Sequence, residues 1–403
     1  PGRIAFWGNF GTRNLGNECT LAAVLHNARV RRPDAAFVCF CTAPADAEKR
    51  HGIPCFPLNT SRPGPGPRPP FPVRLVRRLW AELRGWREAL AQTRETELLV
   101  LTGTGMLTDE GEGPLGLPYD MFRWAVAARL SGCRVVFLSV GVEGLHHPLT
   151  RLFIRTALKL ASSRSYRDTQ SRERLRAAGF SNDADAVYPD LAFSLPEGLL
   201  RVPPRQKGQA PRVGLGLYAY RDRGAASVED LAEYRSYLEK MCQLAVAVGG
   251  KGRPLRLLIG DNTYDEPVLR DVRAALAARG FSGTAPEYED SPAQSFEEVL
   301  AQLAAVDVVV ASRFHNVLLA LLLGRPVVSL SYNPKNDALM AEVGLGAYAS
   351  GLDALDVSRV LSELQALEKE ASSLLPAVAA KAAEYRMALE RQYDAVFGPR
   401  PAA

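Results

Sequence analysis

The stretch Val306-Asp307-Val308-Val309-Val310-Ala311-Ser312-Arg313-Phe314-His315-Asn316 decides the fold. It runs into Val317-Leu318-Leu319-Ala320-Leu321-Leu322-Leu323, and Gly324-Arg325-Pro326 then returns the chain to Val327-Val328. A continuously apolar strand, an apolar helix and a second apolar strand make one β-α-β unit. Strands without polar alternation belong to a parallel sheet covered on both faces. Runs of the same kind lie at Ile4 to Trp7, Ala36 to Cys41, Leu98 to Thr102, Val135 to Val140, Val213 to Leu217 and Leu255 to Ile259, with helical patterns between them. The fold expected is α/β, with two Rossmann-like, doubly wound parallel-sheet domains facing a cleft.

Between Leu195 and Arg212 periodicity disappears and four prolines intervene, which reads as a linker. The expected organisation is an N-terminal domain over 1–195 that serves the acceptor, a linker over 196–211, a C-terminal domain over 212–345 that serves the donor, and C-terminal helices over 346–403 packing back on the N-terminal domain. From Asp356 to Phe397 the chain is rich in Ala, Leu, Glu and Lys around Pro376, so two or more helices are expected there. A proline-rich stretch from Pro57 to Pro72 leads into Val73, Val76, Trp80, Leu83 and Leu90, flanked by Arg74, Arg77, Arg78, Arg84 and Arg87. Such a basic amphipathic helix suits an anionic membrane surface, or covers the N-terminal sheet while its arginine stems snorkel.

With 403 residues, 47% hydrophobic and 23% charged, the chain is too apolar for wholesale disorder. Its net charge of +5 is the small difference between 49 basic and 44 acidic residues, which is no nucleic-acid footprint. The longest apolar run, Val317 to Leu323, is seven residues, far short of the ~20 that span a bilayer. The opening Pro1-Gly2-Arg3-Ile4-Ala5-Phe6-Trp7-Gly8 reads as a first strand and not as a signal peptide, so a cytoplasmic protein with peripheral membrane contact is expected. Six cysteines, at 19, 39, 41, 55, 133 and 242, are too sparse for a disulfide framework. The alternation in Cys39-Phe40-Cys41 is read as placing its two thiols on opposite faces. All six are expected as buried small hydrophobes with no metal site.

After the first strand comes Gly8-Asn9-Phe10-Gly11-Thr12-Arg13-Asn14-Leu15-Gly16-Asn17-Glu18-Cys19-Thr20, which fits neither the dinucleotide fingerprint nor the phosphate-binding P-loop. Asn14, Asn17 and Glu18 offer amide and carboxylate groups suited to sugar hydroxyls, and Asn14 or Asn17 equally suits a helix cap. A second turn, Gly103-Thr104-Gly105, follows the strand ending at Thr102 and would let backbone approach a ligand.

The opening block puts Arg313 and His315 where a strand gives way to a helix N-terminus, an anion site with a proton donor inside it. Arg221 closes the strand that begins at Val213, and Tyr332 and Lys335 follow the strand that begins at Val327. Two Arg, one Lys and one His at three strand ends make a site for a small, multiply charged anion. Taken singly, each cation also suits an exposed ion pair.

These blocks, together with Ser165-Tyr166-Arg167-Asp168-Thr169-Gln170-Ser171, Pro189-Asp190-Leu191-Ala192-Phe193 and Tyr332-Asn333-Pro334-Lys335, make the chain resemble polysaccharide pyruvyl transferases over roughly residues 4 to 345. Asn17 departs from that pattern, which commonly has Asp before the Glu. The resemblance implies a GT-B-like fold, phosphoenolpyruvate as donor with no cofactor or metal, a saccharide acceptor and a pyruvate ketal as product; whether that acceptor is free, nucleotide-linked, lipid-linked or polymeric is left open. Arg313 and His315 fall on the family's donor-binding Arg-x-His pair, Arg221 on its other donor-binding Arg, and Lys335 on a recurrent Lys. His315 would be the general acid. Two alternatives remain at this stage: a GT-B glycosyltransferase using a nucleotide sugar, and a non-catalytic sugar-binding protein. Against the first, Ala311 and Leu319 stand where retaining members carry Glu.

Overall fold

The computed structural model describes residues 2–59, 71–110, 113–180, 184–204, 210–220, 228–249, 253–281 and 292–399. Arg221 and the side chains of Val73 and Arg74 lie outside the described residues. The chain divides into two compact units: the first comprises Pro1–Thr12, Thr20–Ser194 and Ala388–Ala403, the second Arg13–Cys19 and Leu195–Met387.

The first unit holds β1 (Arg3–Gly8), β2 (Ala36–Cys41), β3 (Cys55–Pro57), β4 (Leu98–Thr102), β5 (Arg134–Val140), β6 (Ser163–Tyr166) and β7 (Ala186–Val187). They form one parallel sheet in the order β3-β2-β1-β4-β5-β6-β7. Its helices are α1 (Leu15–Arg31), which begins in the second unit, α2 (Pro44–His51), α3 (Phe71–Arg94), α4 (Leu117–Leu130), α5 (Pro148–Leu160) and α6 (Thr169–Ala177). Every residue of β4 is buried, as expected for a central strand covered on both faces. On one face Trp7, Phe40, Leu101, Trp124 and Phe137 join a single core, with the Phe40 and Trp124 rings 4.2 Å apart.

The second unit repeats the plan with β8 (Val213–Gly216), β9 (Leu255–Leu258), β10 (Val308–Ala311), β11 (Val327–Ser331) and β12 (Ala349–Gly351), all parallel, in the order β12-β11-β10-β8-β9. Helices α7 (Val228–Gly249), α8 (Asp265–Ala278), α9 (Phe296–Ala304), α10 (Phe314–Leu322) and α11 (Pro334–Glu342) connect the strands, and α12 (Val357–Phe397) follows them. Two parallel sheets built from β-α-β steps are the α/β fold expected from the apolar strand runs.

Three expectations change. The two or more helices expected after Asp356 are one helix, α12, which runs through Pro376. A helical proline costs about 3 kcal/mol. Val360, Leu364 and Leu367 before it and Val378, Leu389 and Tyr393 after it are all buried, and that burial offsets the cost. Secondly, Cys39 and Cys41 share a face of β2: strand residues two apart point the same way, so the alternation places Phe40, not Cys41, opposite to Cys39. Their sulfurs lie within 4.8 Å of each other and of Cys55. Thirdly, among the described side chains and glycines of α3, Gly85 and Ala89 in its second half are buried, whereas Val76, Leu79, Trp80 and Leu83 are exposed. No helix among the described residues is long and apolar enough to cross a membrane.

Candidate active site

In the second sheet, β9 lies on one side of β8 and β10 on the other. Chain connections therefore diverge at the carboxyl ends of β8 and β10, which is where open α/β sheets bind ligands. A Cβ on Gly216, the last residue of β8, would stand 2.8 Å from that of Ala311, so glycine lets the two strand ends close up. Tyr218 follows β8, and Ser312, Arg313, Phe314 and His315 follow β10. Arg313 is the N-cap of α10 and His315 its second residue, so both stand in the positive field of a helix N-terminus.

Arg313 is clamped from two sides. Its Nε and Nη2 donate to the Asp265 carboxylate at 2.8 and 2.5 Å, and its guanidinium lies 4.6 Å over the ring of Tyr218. Asp265, wholly buried at the start of α8, also accepts backbone N–H bonds from Ala219, Gly260 and Asp261. Burial alone would depress the Arg313 pKa, but the Asp265 charge and hydrogen bonds outweigh it and hold the guanidinium charged. Two of its three nitrogens, Nε and Nη2, are thus committed to Asp265. Tyr218 in turn stacks on Tyr332 at 4.1 Å.

Arg13–Cys19 belong to this unit although the sequence boundary placed them with the N-terminal domain. Main-chain bonds hold them: Leu15 N–H donates to Gly260 at 3.1 Å, Asn262 N–H to Arg13 at 3.2 Å, and Asn14 forms an antiparallel bridge with Asp261. Arg13 takes a positive φ of 64° on the way. Asn14 performs the capping role, its Oδ1 accepting from Asn17 N–H at 3.3 Å. Glu18 is wholly buried in the first turn of α1, and Asn17 is half-buried. Gly16 faces His315, so closely that a Cβ there would lie 2.1 Å from Nδ1.

Lys335 opens α11 behind the Asn333 cap, with Nζ 5.8 Å from the ring centroids of both Phe314 and Tyr332. The structure thus gathers His315, Arg313, Lys335 and Asn14–Glu18, at the start of α1, in one unit. Beneath them Asn336 Nδ2 donates to the Ser312 carbonyl at 2.7 Å. Ser312 Oγ, Asn316 Nδ2 and Asn336 Oδ1 are buried without a hydrogen-bond partner among the described residues. Polar atoms this concentrated are normally satisfied by water or ligand.

Sequence reasoning missed Tyr218, Asp261 and Asp265. The available signal was Gly260-Asp261-Asn262 directly after a strand, with Asp265 four residues on. Asp261 is buried, which pushes its carboxyl pKa up; Arg313 pulls it down and Asp265 pushes it up further.

In the first unit, the carboxyl ends of β4, β5 and β6 hold a separate polar cluster. Gly141 is packed so that a Cβ would meet Arg167 Nη2 at 2.7 Å, and Gly105 likewise meets Glu143 at 2.6 Å. Arg167 is buried beside Asp168 and Asp190, whose charges raise its pKa against burial. The hydroxyls of Thr102 and Thr104 are buried there without a partner among the described residues.

Among solved structures, the chain is similar to a UDP-GlcNAc 2-epimerase from Methanocaldococcus jannaschii, with 9% identity, a TM-score of 0.55, and 91% of this chain and 92% of that one covered. It is also similar to a glycosyltransferase from Rickettsia africae, with 9% identity, a TM-score of 0.56 and 98% of each chain covered. These likenesses fix the fold as GT-B-like. No curated protein is matched by the sequence. The family model described as polysaccharide pyruvyl transferase matches residues 14–334. The chain belongs to the polysaccharide pyruvyl transferase family, a family of transferases.

Proposed function

We propose that this protein transfers the enolpyruvyl unit of phosphoenolpyruvate to a saccharide, closing a pyruvate ketal across two hydroxyls and releasing phosphate. The observation that carries the reading is His315 beside Arg313 at the N-terminus of α10, at the switch point of the second sheet. The donor's phosphate and carboxylate match a helix N-terminus, Arg313 and Lys335. Arg221 joins them on its motif alone.

His315, as imidazolium, gives its proton to the methylene carbon, and C2 becomes cationic. A sugar hydroxyl adds to C2 and loses its proton. Phosphate leaves with its bonding electrons, and a second hydroxyl takes its place at C2 with loss of its own proton. Donors fixed at the phosphate stabilise charge as it grows on the leaving group. Asn14, Asn17 and Glu18 are the proposed acceptor residues. The capping bond of Asn14 and the burial of Glu18 favour Asn17 as the one that reaches a sugar hydroxyl. The exposed apolar half of α3, with Arg77, Arg78, Arg84 and Arg87 around it, suits an acceptor carried on a lipid at an anionic membrane surface.

The test is phosphate release from phosphoenolpyruvate with a panel of saccharide acceptors, alongside thermal shift with phosphoenolpyruvate and with nucleotide sugars. Stabilisation by phosphoenolpyruvate and a fall of about 10² to 10⁴ in turnover for His315→Ala are expected. Stabilisation by a nucleotide sugar alone would overturn the reading.

A further inference from the structure

The first unit gathers half of the chain's cysteines, Cys39, Cys41 and Cys55, on its two neighbouring strands β2 and β3. β2 and β3 pair in parallel with Cys39 opposite Cys55, and Cys41 lies two residues further along the same face. The three sulfurs all lie within 4.8 Å of one another, and Cys55, the most accessible of them, is 8% exposed. Burying small apolar volume calls for no such meeting: alanine or valine fills a sheet face without bringing three polarisable groups together. At the end of α2, Gly52 takes φ +62° and turns the chain sharply into β3, three residues separating His51 from Cys55. His51, the last residue of α2, is 9% exposed.

We propose that Cys39, Cys41 and Cys55 form a thiolate site for a soft cation of the Zn²⁺ class, with water in the fourth position. Tetrahedral Zn–S bonds of about 2.3 Å separate the sulfurs by about 3.8 Å, inside the observed limit. Mg²⁺ and Ca²⁺ require oxygen donors that these three residues do not offer. Binding displaces the thiol protons of Cys39, Cys41 and Cys55 to solvent, and nothing is oxidised or reduced. The occupied site pins β3, a three-residue edge strand, to β2, so that metal binding adds to the stability of the fold.

The full chain, purified under reducing conditions, is assayed for zinc by elemental mass spectrometry and, after chelation and dialysis, titrated with Co²⁺. About one equivalent of metal per chain is expected. Co²⁺ should give an intense near-ultraviolet sulfur-to-metal band with the visible bands of a tetrahedral site. Zn²⁺ should protect Cys39, Cys41 and Cys55 from alkylation. Cys39→Ser and Cys41→Ser should lose the band, and Cys242→Ser, in the second unit, should keep it. Should the serine variants fail to fold, the Co²⁺ titration of the unaltered chain decides alone. A titration without the sulfur-to-metal band while all six thiols are reduced overturns the site, and so does a full band in Cys39→Ser.

Discussion

Gly16 packs directly on the imidazole of His315: a Cβ on Gly16 would lie 2.1 Å from Nδ1 and 2.5 Å from Cγ. Gly16 is helical, and alanine there would gain up to about 1 kcal/mol in propensity. Overpacking costs about 1–3 kcal/mol, so the propensity gain offsets part of it and leaves a net loss of up to about 2 kcal/mol. Geometry has no such compensation. Gly16→Ala should leave the melting temperature within a few degrees while lowering the rate of phosphate release about 10²-fold, since the imidazole is pushed from its place. Steady-state kinetics measure this, and a wild-type turnover number would show that His315 needs no such fixed position.

The Arg313–Asp265 pair predicts an asymmetry between removing one partner and removing both. Asp265→Ala leaves a largely buried guanidinium without its counter-charge, which costs about 3–5 kcal/mol. The double variant Asp265→Ala, Arg313→Ala should recover part of that loss, because no charge is stranded. Denaturant midpoints for the two single variants and the double variant check it. Strictly additive losses would mean that the two side chains act independently.

Much of this architecture was legible because covered parallel strands are written as unbroken apolar runs, as in Val308–Ala311 and Leu98–Thr102. The placement of Arg313 and His315 followed from the same pattern, since a strand that turns into a helix within three residues has few ways to do so. What Arg313 does was not legible. Its partner Asp265 lies 48 residues away and is reached only through the β9 turn, and nothing local marks Asp265 as the acceptor of three backbone N–H groups. The Gly8–Thr20 stretch was recognisable as a turn after the first strand that leads into a helix. Its attachment to the second unit rests on main-chain bonds to Gly260 and Asn262, which side-chain chemistry does not report. Pro376 misled in the other direction, because local propensity yields to apolar residues buried both before and after it.

Asp261 supplies a pH dependence whose sign is fixed. Burial raises its folded carboxyl pKa above the unfolded value of about 4. A raised carboxyl favours the folded state fully below the unfolded pKa, and that contribution is lost as pH rises through the folded pKa. Asp261→Asn keeps an oxygen for the Thr263 and Tyr264 N–H bonds and removes the titration. The variant's melting temperature, relative to wild type, should therefore climb as pH goes from about 4 to about 7. A constant difference across that range would mean that Asp261 pays nothing to ionise.

Trp80 and Leu83 are the residues to change if α3 meets a membrane. Val76, Leu79, Trp80 and Leu83 are 52, 57, 69 and 59% exposed, a contiguous apolar strip on two turns of one helix, with Arg77, Arg78, Arg84 and Arg87 beside it. An apolar strip gains by entering the headgroup boundary, and each arginine near an anionic surface adds about 1 kcal/mol. Both contributions are separable. Trp80→Glu and Leu83→Glu should abolish flotation with vesicles containing anionic lipid, whereas neutral vesicles should bind the unaltered protein weakly, and added salt should weaken binding to the anionic ones. Because these side chains lie outside the packed core, the same variants should melt with the wild type and turn over a soluble saccharide acceptor at the wild-type rate. Unchanged flotation of the double variant would leave the strip without a membrane role.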